Sequence, residues 1–247
     1  MKILNWNTEW IGPRSRKGRF AQAKALIATY DPDIICLTEA HPETMPDGGH
    51  AITSGLSGAG NMEKRGRRKV VLWSRFGWTD VDALGSDKLP EGRYVSAKTA
   101  CGDIEFHFVG ICVPYHGYRN SERWGESRKR NWQGACEYLD ALRQDILTRR
   151  QFKSRAILLG DFNLQIPPHN YPYRRSEVNG KRQATFDGWS IPTAGEWDEA
   201  ALDKRFIDHI AHTPDLGLRS LQFFSRIAAD GSRLSDHNGV CIEITAN

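Results

Sequence analysis

Ala156-Ile157-Leu158-Leu159-Gly160-Asp161-Phe162-Asn163 is the stretch on which the reading of this chain turns. Four apolar residues in a row read as a short buried strand. Gly160 permits a tight turn at its end, and Asp161 follows at once. Alternate residues of an extended segment face one way, so the Asp161 carboxylate and the Asn163 amide share a side. Together they can orient a water and hold a phosphoryl oxygen. The same pair would equally serve an Asx turn at a strand end.

Four further polar motifs end or border apolar runs: Trp6-Asn7, Leu37-Thr38-Glu39, Ile207-Asp208 and Ser235-Asp236-His237. Packing explains such groups poorly, whereas gathered acids and amides suit a hard cation and a phosphate. Taken singly, Glu39 could cap a helix or meet an arginine, and Ser235-Asp236-His237 is also good turn chemistry. Asp208 can hold the His237 ring in one tautomer and favour the imidazolium, as carboxylate–histidine pairs do in acid–base catalysis. His209 and His212 share the strand of Asp208 but have no metal-type partner spacing, and read as structural or exposed.

Between the motifs, hydrophobic patterning predicts strands at 2–7, 34–37, 70–73, 93–99, 104–113, 156–159, 206–211, 221–224 and 240–244. Helices are expected over 19–30 and 124–150, the second from the stripe Trp132, Cys136, Leu139, Leu142 and Ile146. Residues 41–60 and 164–185 read as loops, the latter long, irregular and rich in Pro, Tyr and Arg. The order β-α-β, a run of strands, then α-β-β-β predicts an α/β (α+β) fold. Two central mixed β-sheets flanked by helices would make a four-layer α/β sandwich, with the motifs at one end.

The 247 residues carry 39% hydrophobic and 26% charged side chains, enough for a core and against disorder. No repeat or linker divides them, so residues 1–247 are expected to form one domain. Five cysteines without regular spacing give neither a disulfide framework nor a zinc pattern. With no signal peptide and no apolar run of membrane-spanning length, a cytoplasmic location is expected. A formal charge of +4 suits either ordinary solubility or an anionic substrate.

The five motifs, in this order across nearly the whole chain, resemble the endonuclease/exonuclease/phosphatase superfamily, also called DNase I-like. Gly160-Asp161-Phe162-Asn163, Asp208 and Ser235-Asp236-His237 carry the likeness most specifically. Glu91-Gly92-Arg93, with the strand running on to Cys112-Val113-Pro114, is similar to its exonuclease III-type branch. The resemblance implies a metal held by Asn7, Glu39 and Asp236, magnesium or manganese in its place. It implies a water activated by Asp161, a phosphate gripped by Asn163, and a scissile phosphate contacted by His237 with Asp208, the histidine either donating a proton or stabilising charge. Glu9 matches a position that often carries a second acid. Arg93 and Tyr115 are candidate substrate contacts. Where the family's branches carry a histidine or a tyrosine, this chain has Cys112; His116, a few residues later, is the candidate that reaches the phosphate from a displaced loop, and an exposed loop histidine is the alternative.

Substrate choice would lie in three basic runs: Lys64, Arg65, Arg67, Arg68 and Lys69; Arg119, Arg123, Arg128, Lys129 and Arg130; and Arg174, Arg175, Lys181 and Arg182. Each alone is an ordinary solvated face. Interleaved with Tyr115, Tyr118, Trp124, Tyr171 and Tyr173, they favour an extended nucleic acid on which aromatic rings can stack. The expectation is a metal-dependent phosphodiesterase acting on DNA or RNA, monomeric and without an obligate protein partner. A lipid, inositol or other small phosphate ester is the alternative substrate. Leu164-Gln165-Ile166-Pro167, however, lacks the arginine expected after this motif in inositol polyphosphate 5-phosphatases. A non-catalytic binding module is the third reading, and it would be favoured by a broken set of motifs, which is not found here.

Overall fold

The computed structural model describes residues 1–16, 18–58, 60–118, 132–148, 152, 154–166, 175–195 and 206–246. The chain runs β1 (Lys2–Ile11), α1 (Arg19–Tyr30), β2 (Ile34–Ala40), a 3-10 turn (Pro42–Thr44), β3 (His50–Thr53), α2 (Asn61–Lys64), β4 (Arg68–Ser74) and β5 (Thr79–Asp82). It continues with β6 (Tyr94–Cys101), β7 (Ile104–Cys112), α3 (Gln133–Ala141), a π-helical turn (Leu142–Thr148), β8 (Ala156–Asp161), α4 (Arg175–Thr185), β9 (Asp208–His212), β10 (Leu216–Phe224) and β11 (Gly239–Ala246).

Two mixed sheets result, ordered β10-β11-β1-β2-β4-β3 and β5-β6-β7-β8-β9. Their near-continuous apolar runs are explained by burial on both faces. On β1, Ile3 faces the second sheet while Leu4 and Trp6 face α1, where Ala23 and Ile27 cover them. On β8, Ile157 and Leu159 face the first sheet and Leu158 packs with Leu139 and Leu142, at and just beyond the end of α3. Helix, sheet, sheet and helix therefore stack as the four-layer α/β sandwich expected from the sequence.

Several elements differ from expectation. β1 runs on to Ile11 through a register shift, where Glu9 and Trp10 adopt left-handed backbone (φ 49° and 61°). β3 and β5 are edge strands too short and too polar to show an apolar period. Part of the expected 164–185 loop is α4, whose amphipathic turn buries Val178 against the α3 core. The expected 124–150 helix is seen as α3 and the π-helical turn; its first residues lie outside the described ones, as do Trp124, Tyr171 and Tyr173. Among the described residues no helix is long and apolar enough to cross a membrane.

Gly160 is required by contact as well as by conformation. Its φ is +141°, and a Cβ there would stand 1.9 Å from the Ile111 carbonyl oxygen on the neighbouring strand. Gly160→Ala is expected to cost about 2–4 kcal/mol, as other strained, closely packed backbone sites do. Urea unfolding of variant and wild type measures it, with the slope of the transition unchanged.

Candidate active site

Register places the strand-end motifs side by side. Cys112 pairs with Asp161 across β7 and β8, and Asp161 with Asp208 across β8 and β9. On the other sheet Asn7 pairs with Thr38 across the parallel β1 and β2. By alternation from Ile3, Asn5 and Asn7 both face the second sheet. Asn5 Nδ2 donates to the carbonyls of Gly160 (3.1 Å) and His209 (3.2 Å), tying β1 to β8 and β9 inside the core. One step further out, Asn7 Nδ2 donates to Asp161 Oδ2 at 3.0 Å.

Asp161 is almost fully buried and surrounded by donors. Besides Asn7, the Asn163 backbone N–H reaches Oδ1 at 2.8 Å and Asn163 Nδ2 reaches Oδ2 at 3.0 Å. Asn163 takes left-handed backbone (φ 52°) to do this, a conformation Asn tolerates, and its amide also donates to the Val113 carbonyl. The Asx turn and the shared polar face considered from the sequence thus coexist. Burial, then the neighbouring Asp208, raise the Asp161 carboxyl to about 6, while His237 and the amide donors work against the rise.

His237 Nδ1 lies 2.6 Å from Asp208 Oδ2, and its Nε2 is 3.7 Å from Asp236 Oδ1. Burial pulls its pKa down, but Asp208, Asp161 and Asp236 outweigh that and raise it to about 10. At neutral pH this ring is an imidazolium. The loop that carries it is braced: Ser235 Oγ donates to the Asn7 carbonyl and accepts from the His237 N–H, while Trp6 Nε1 donates to the His237 carbonyl. Glu9 pairs with Arg19 and Arg233, and Arg19 also donates to the Leu234 carbonyl.

Asp161, Asp208 and His237 lie close enough for one ion, their ligand atoms all within 4.8 Å of one another. A protonated ring whose Nδ1 is held by Asp208 donates hydrogen bonds and does not ligate. The oxygen donors nearby, on Asn7, Asp161 and Asp236, have the hard chemistry that fits a magnesium-like cation. Two buried carboxylates facing each other supply the charge such an ion would offset.

The structure leaves other candidates further apart. Glu39 has left-handed backbone (φ 48°) and meets Lys69 Nζ at 2.5 Å, a partner on the neighbouring strand that sequence spacing does not reveal. It still acts on Arg93 and Cys112, both buried at this end of the sandwich. Arg93 lies under the surface, donating to the Cys112 carbonyl at 3.0 Å with its guanidinium over the Tyr118 ring. Tyr115 and His116 are exposed after Pro114, where the His116 ring meets Tyr115 and Trp132. His209 and His212 are buried in β9; His209 bonds Thr193 and the Leu164 carbonyl, and burial lowers its pKa to about 4. Asn5 and Ser235 were missed as positioning groups. An asparagine inside an apolar strand was the available signal for the first.

Residues 4–237 match the model of the Endonuclease/Exonuclease/phosphatase family. The chain belongs to that family. No curated protein matches the chain by sequence. Among solved structures it is similar to an AP endonuclease from Archaeoglobus fulgidus, with 19% identity, all of both chains covered and a TM-score of 0.70. The 3′ phosphatase NExo from Neisseria, bound to a product DNA hairpin, has 20% identity, 99% coverage of each chain and a TM-score of 0.69. TDP2 from D. rerio, complexed with a single-strand DNA product, has 15% identity, coverage of 100% and 99%, and a TM-score of 0.68. At these identities the likeness concerns the fold, which this Endonuclease/Exonuclease/phosphatase chain shares from end to end.

The Asp208–His237 pair has a consequence for stability. Folded, His237 keeps its proton to about pH 10; unfolded, it releases it near its ordinary 6.5. The folded state binds the extra proton between these values, so this contribution is complete below 6.5 and lost as pH rises through 10. Asp208→Asn removes the main raising charge. The expected result, from urea unfolding of metal-free protein across this range, is a much shallower decline with pH than in wild type.

Proposed function

We propose that the chain is a divalent-metal-dependent phosphodiesterase, a nuclease that hydrolyses DNA or RNA by an activated water. The observation that carries this reading is the buried Asp161 carboxylate, fixed by Asn7 and Asn163 and set beside the Asp208–His237 pair. Hydrolysis of a phosphodiester needs an oriented water, neutralised non-bridging oxygens and a stabilised leaving oxygen. Asn7, Glu39 and Asp236 would hold magnesium or manganese, which neutralises phosphoryl charge when bound. Asn7 and Asn163 fix the lone pairs of Asp161, so that its carboxylate is aimed before a water arrives. A carboxyl raised to about 6 is ionised at neutral pH yet basic enough to take a proton from that water. To grip a phosphoryl oxygen, Asn163 would exchange its bond to the Val113 carbonyl for one to the substrate.

His237 is better suited to charge stabilisation than to proton transfer. With its pKa near 10 it remains an imidazolium at neutral pH, held by Asp208 and able to donate through Nε2. Tyr115 and His116 would contact substrate from the exposed turn, whereas the buried guanidinium of Arg93 would act chiefly by positive potential. Nucleic acid is favoured over a small ester by the basic run from Lys64 to Lys69, whose last residue pairs with Glu39.

Asp161→Ala and His237→Ala are each expected to lower kcat on labelled DNA or RNA by about 10³-fold or more, the scale of losing a general base or a preorganised charge. EDTA should abolish wild-type turnover and magnesium restore it. Wild-type turnover unaffected by chelation, or equal rates in all three proteins, would overturn the assignment.

A further inference from the structure

A second cavity, of about 360 Å³, opens between the segment after β1, the turn after β2 and the lead-in to β4. Arg14, His41, Lys64, Arg65 and Arg67 line it, with Glu43 the single acid. Among the described residues no carboxylate pairs with Arg14, Lys64, Arg65 or Arg67. Charges of one sign in a concave surface reinforce one another's field. Arg67 matters most, because it is 6% exposed and its Nε is spent on the Trp10 carbonyl at 2.5 Å. A buried guanidinium without a carboxylate is costly unless an anion completes it. Burial and the nearby Arg65 both disfavour its charge.

The wall of the cavity is built as well as charged. Gly66 has φ +83°, and a Cβ there would lie 2.6 Å from His41 Nε2, so only a glycine lets the chain pass this close to the ring. His41 Nδ1 accepts the Glu43 N–H, which leaves the proton of the neutral ring on Nε2, on the side of Gly66. The cavity also connects to Glu39 through Trp10 and Lys69. Arg67 holds the Trp10 carbonyl; the Trp10 ring lies 4.6 Å from Lys69 Nζ; and Lys69 pairs with Glu39.

We propose that this cavity binds a backbone phosphate of a nucleic-acid strand, gripping it beside the Asp161–His237 centre. The substrate assignment rests on the phosphodiesterase reading above; the anion site itself does not. A phosphate offers oxygens to the forked guanidinium of Arg67 and charge to the mobile cations around it. A strand held there and cleaved at Asp161 must extend over more than one nucleotide, which selects a polynucleotide over a small ester.

The test is fluorescence anisotropy with a labelled single-stranded oligonucleotide in EDTA, so that binding is read without cleavage. Arg14 and Arg65 are exposed, so the double variant Arg14→Ser, Arg65→Ser should keep the wild-type melting temperature. Its Kd is expected to rise about tenfold, and the slope of log affinity on log salt to fall by about 0.7, the value for one single-strand phosphate. Arg219→Ser, a removed charge on the edge strand β10, should change neither quantity. A double variant with wild-type Kd and salt slope would overturn the proposal. So would loss of binding to phosphoinositide-containing vesicles with oligonucleotide affinity intact, which would make the cavity a lipid headgroup site. Pocket-dependent oligonucleotide binding with no magnesium-dependent cleavage by wild type would sustain the anion site and remove the nuclease assignment.

Discussion

The hydrogen bond from Asn7 Nδ2 to Asp161 Oδ2 joins the ends of two sheets whose facing surfaces are mainly apolar. Apolar packing is tolerant of small slides, whereas a buried carboxylate is not. Its desolvation is offset only if donors arrive at hydrogen-bonding distance. Three donations meet Asp161, and they come from β1 and from the turn it begins. Sliding one sheet against the other would strip away the Asn7 donation, whereas the two from Asn163 travel with Asp161. Asn5, bonded to the Gly160 and His209 carbonyls, sets the same relation one step deeper. The polar ties therefore define the alignment that the hydrophobic layer leaves loose.

Electrostatics imposes the second constraint. Asp161 and Asp208 occupy paired positions on adjacent strands, and two carboxylates so placed in a buried site oppose each other's ionisation. The His237 imidazolium between them offsets this, and Asp236 adds to the charge that keeps it protonated. Such an arrangement costs stability when assembled. Left-handed backbone at Glu9, Trp10, Glu39 and Asn163 follows the same logic, since strain gathers where strand ends must present side chains in unusual directions.

Much of this was legible in the sequence because it follows period-two alternation. Apolar runs gave the central strands, and their polar ends gave Asn7, Asp161, Asn163, Asp208 and His237, which the fold gathers into one group. What the sequence could not show depends on tertiary partners or on broken alternation. α4 lay hidden in a polar, arginine-rich stretch because only a narrow face of it, around Val178, is buried. The edge strands β3 and β5 lack an apolar face of their own. Glu39 read as a helix cap, an arginine's partner or a metal ligand, yet its partner Lys69 is thirty positions away and reaches it through sheet pairing. Arg93 was a candidate substrate contact, but the Cys112 carbonyl and the Tyr118 ring give it a buried seat.

The basic run from Lys64 to Lys69 shows why charge counting alone misleads about substrate. As sequence it is one solvated patch. In the fold the chain leaves α2, turns at Gly66 and enters β4, and the run divides. Lys64 and Arg65 stay exposed, whereas alternate positions Arg67 and Lys69 are buried against Trp10 and Glu39. Arg68, between them, turns to backbone carbonyls. Five cations thus divide into an exposed pair, two buried side chains with different partners and one turned to the backbone, all from one composition. The acids and amides of the candidate site sit on strand ends and are written in short motifs. The cations sit where strands give way to turns, and there the direction of each side chain, rather than its type, decides what it can hold.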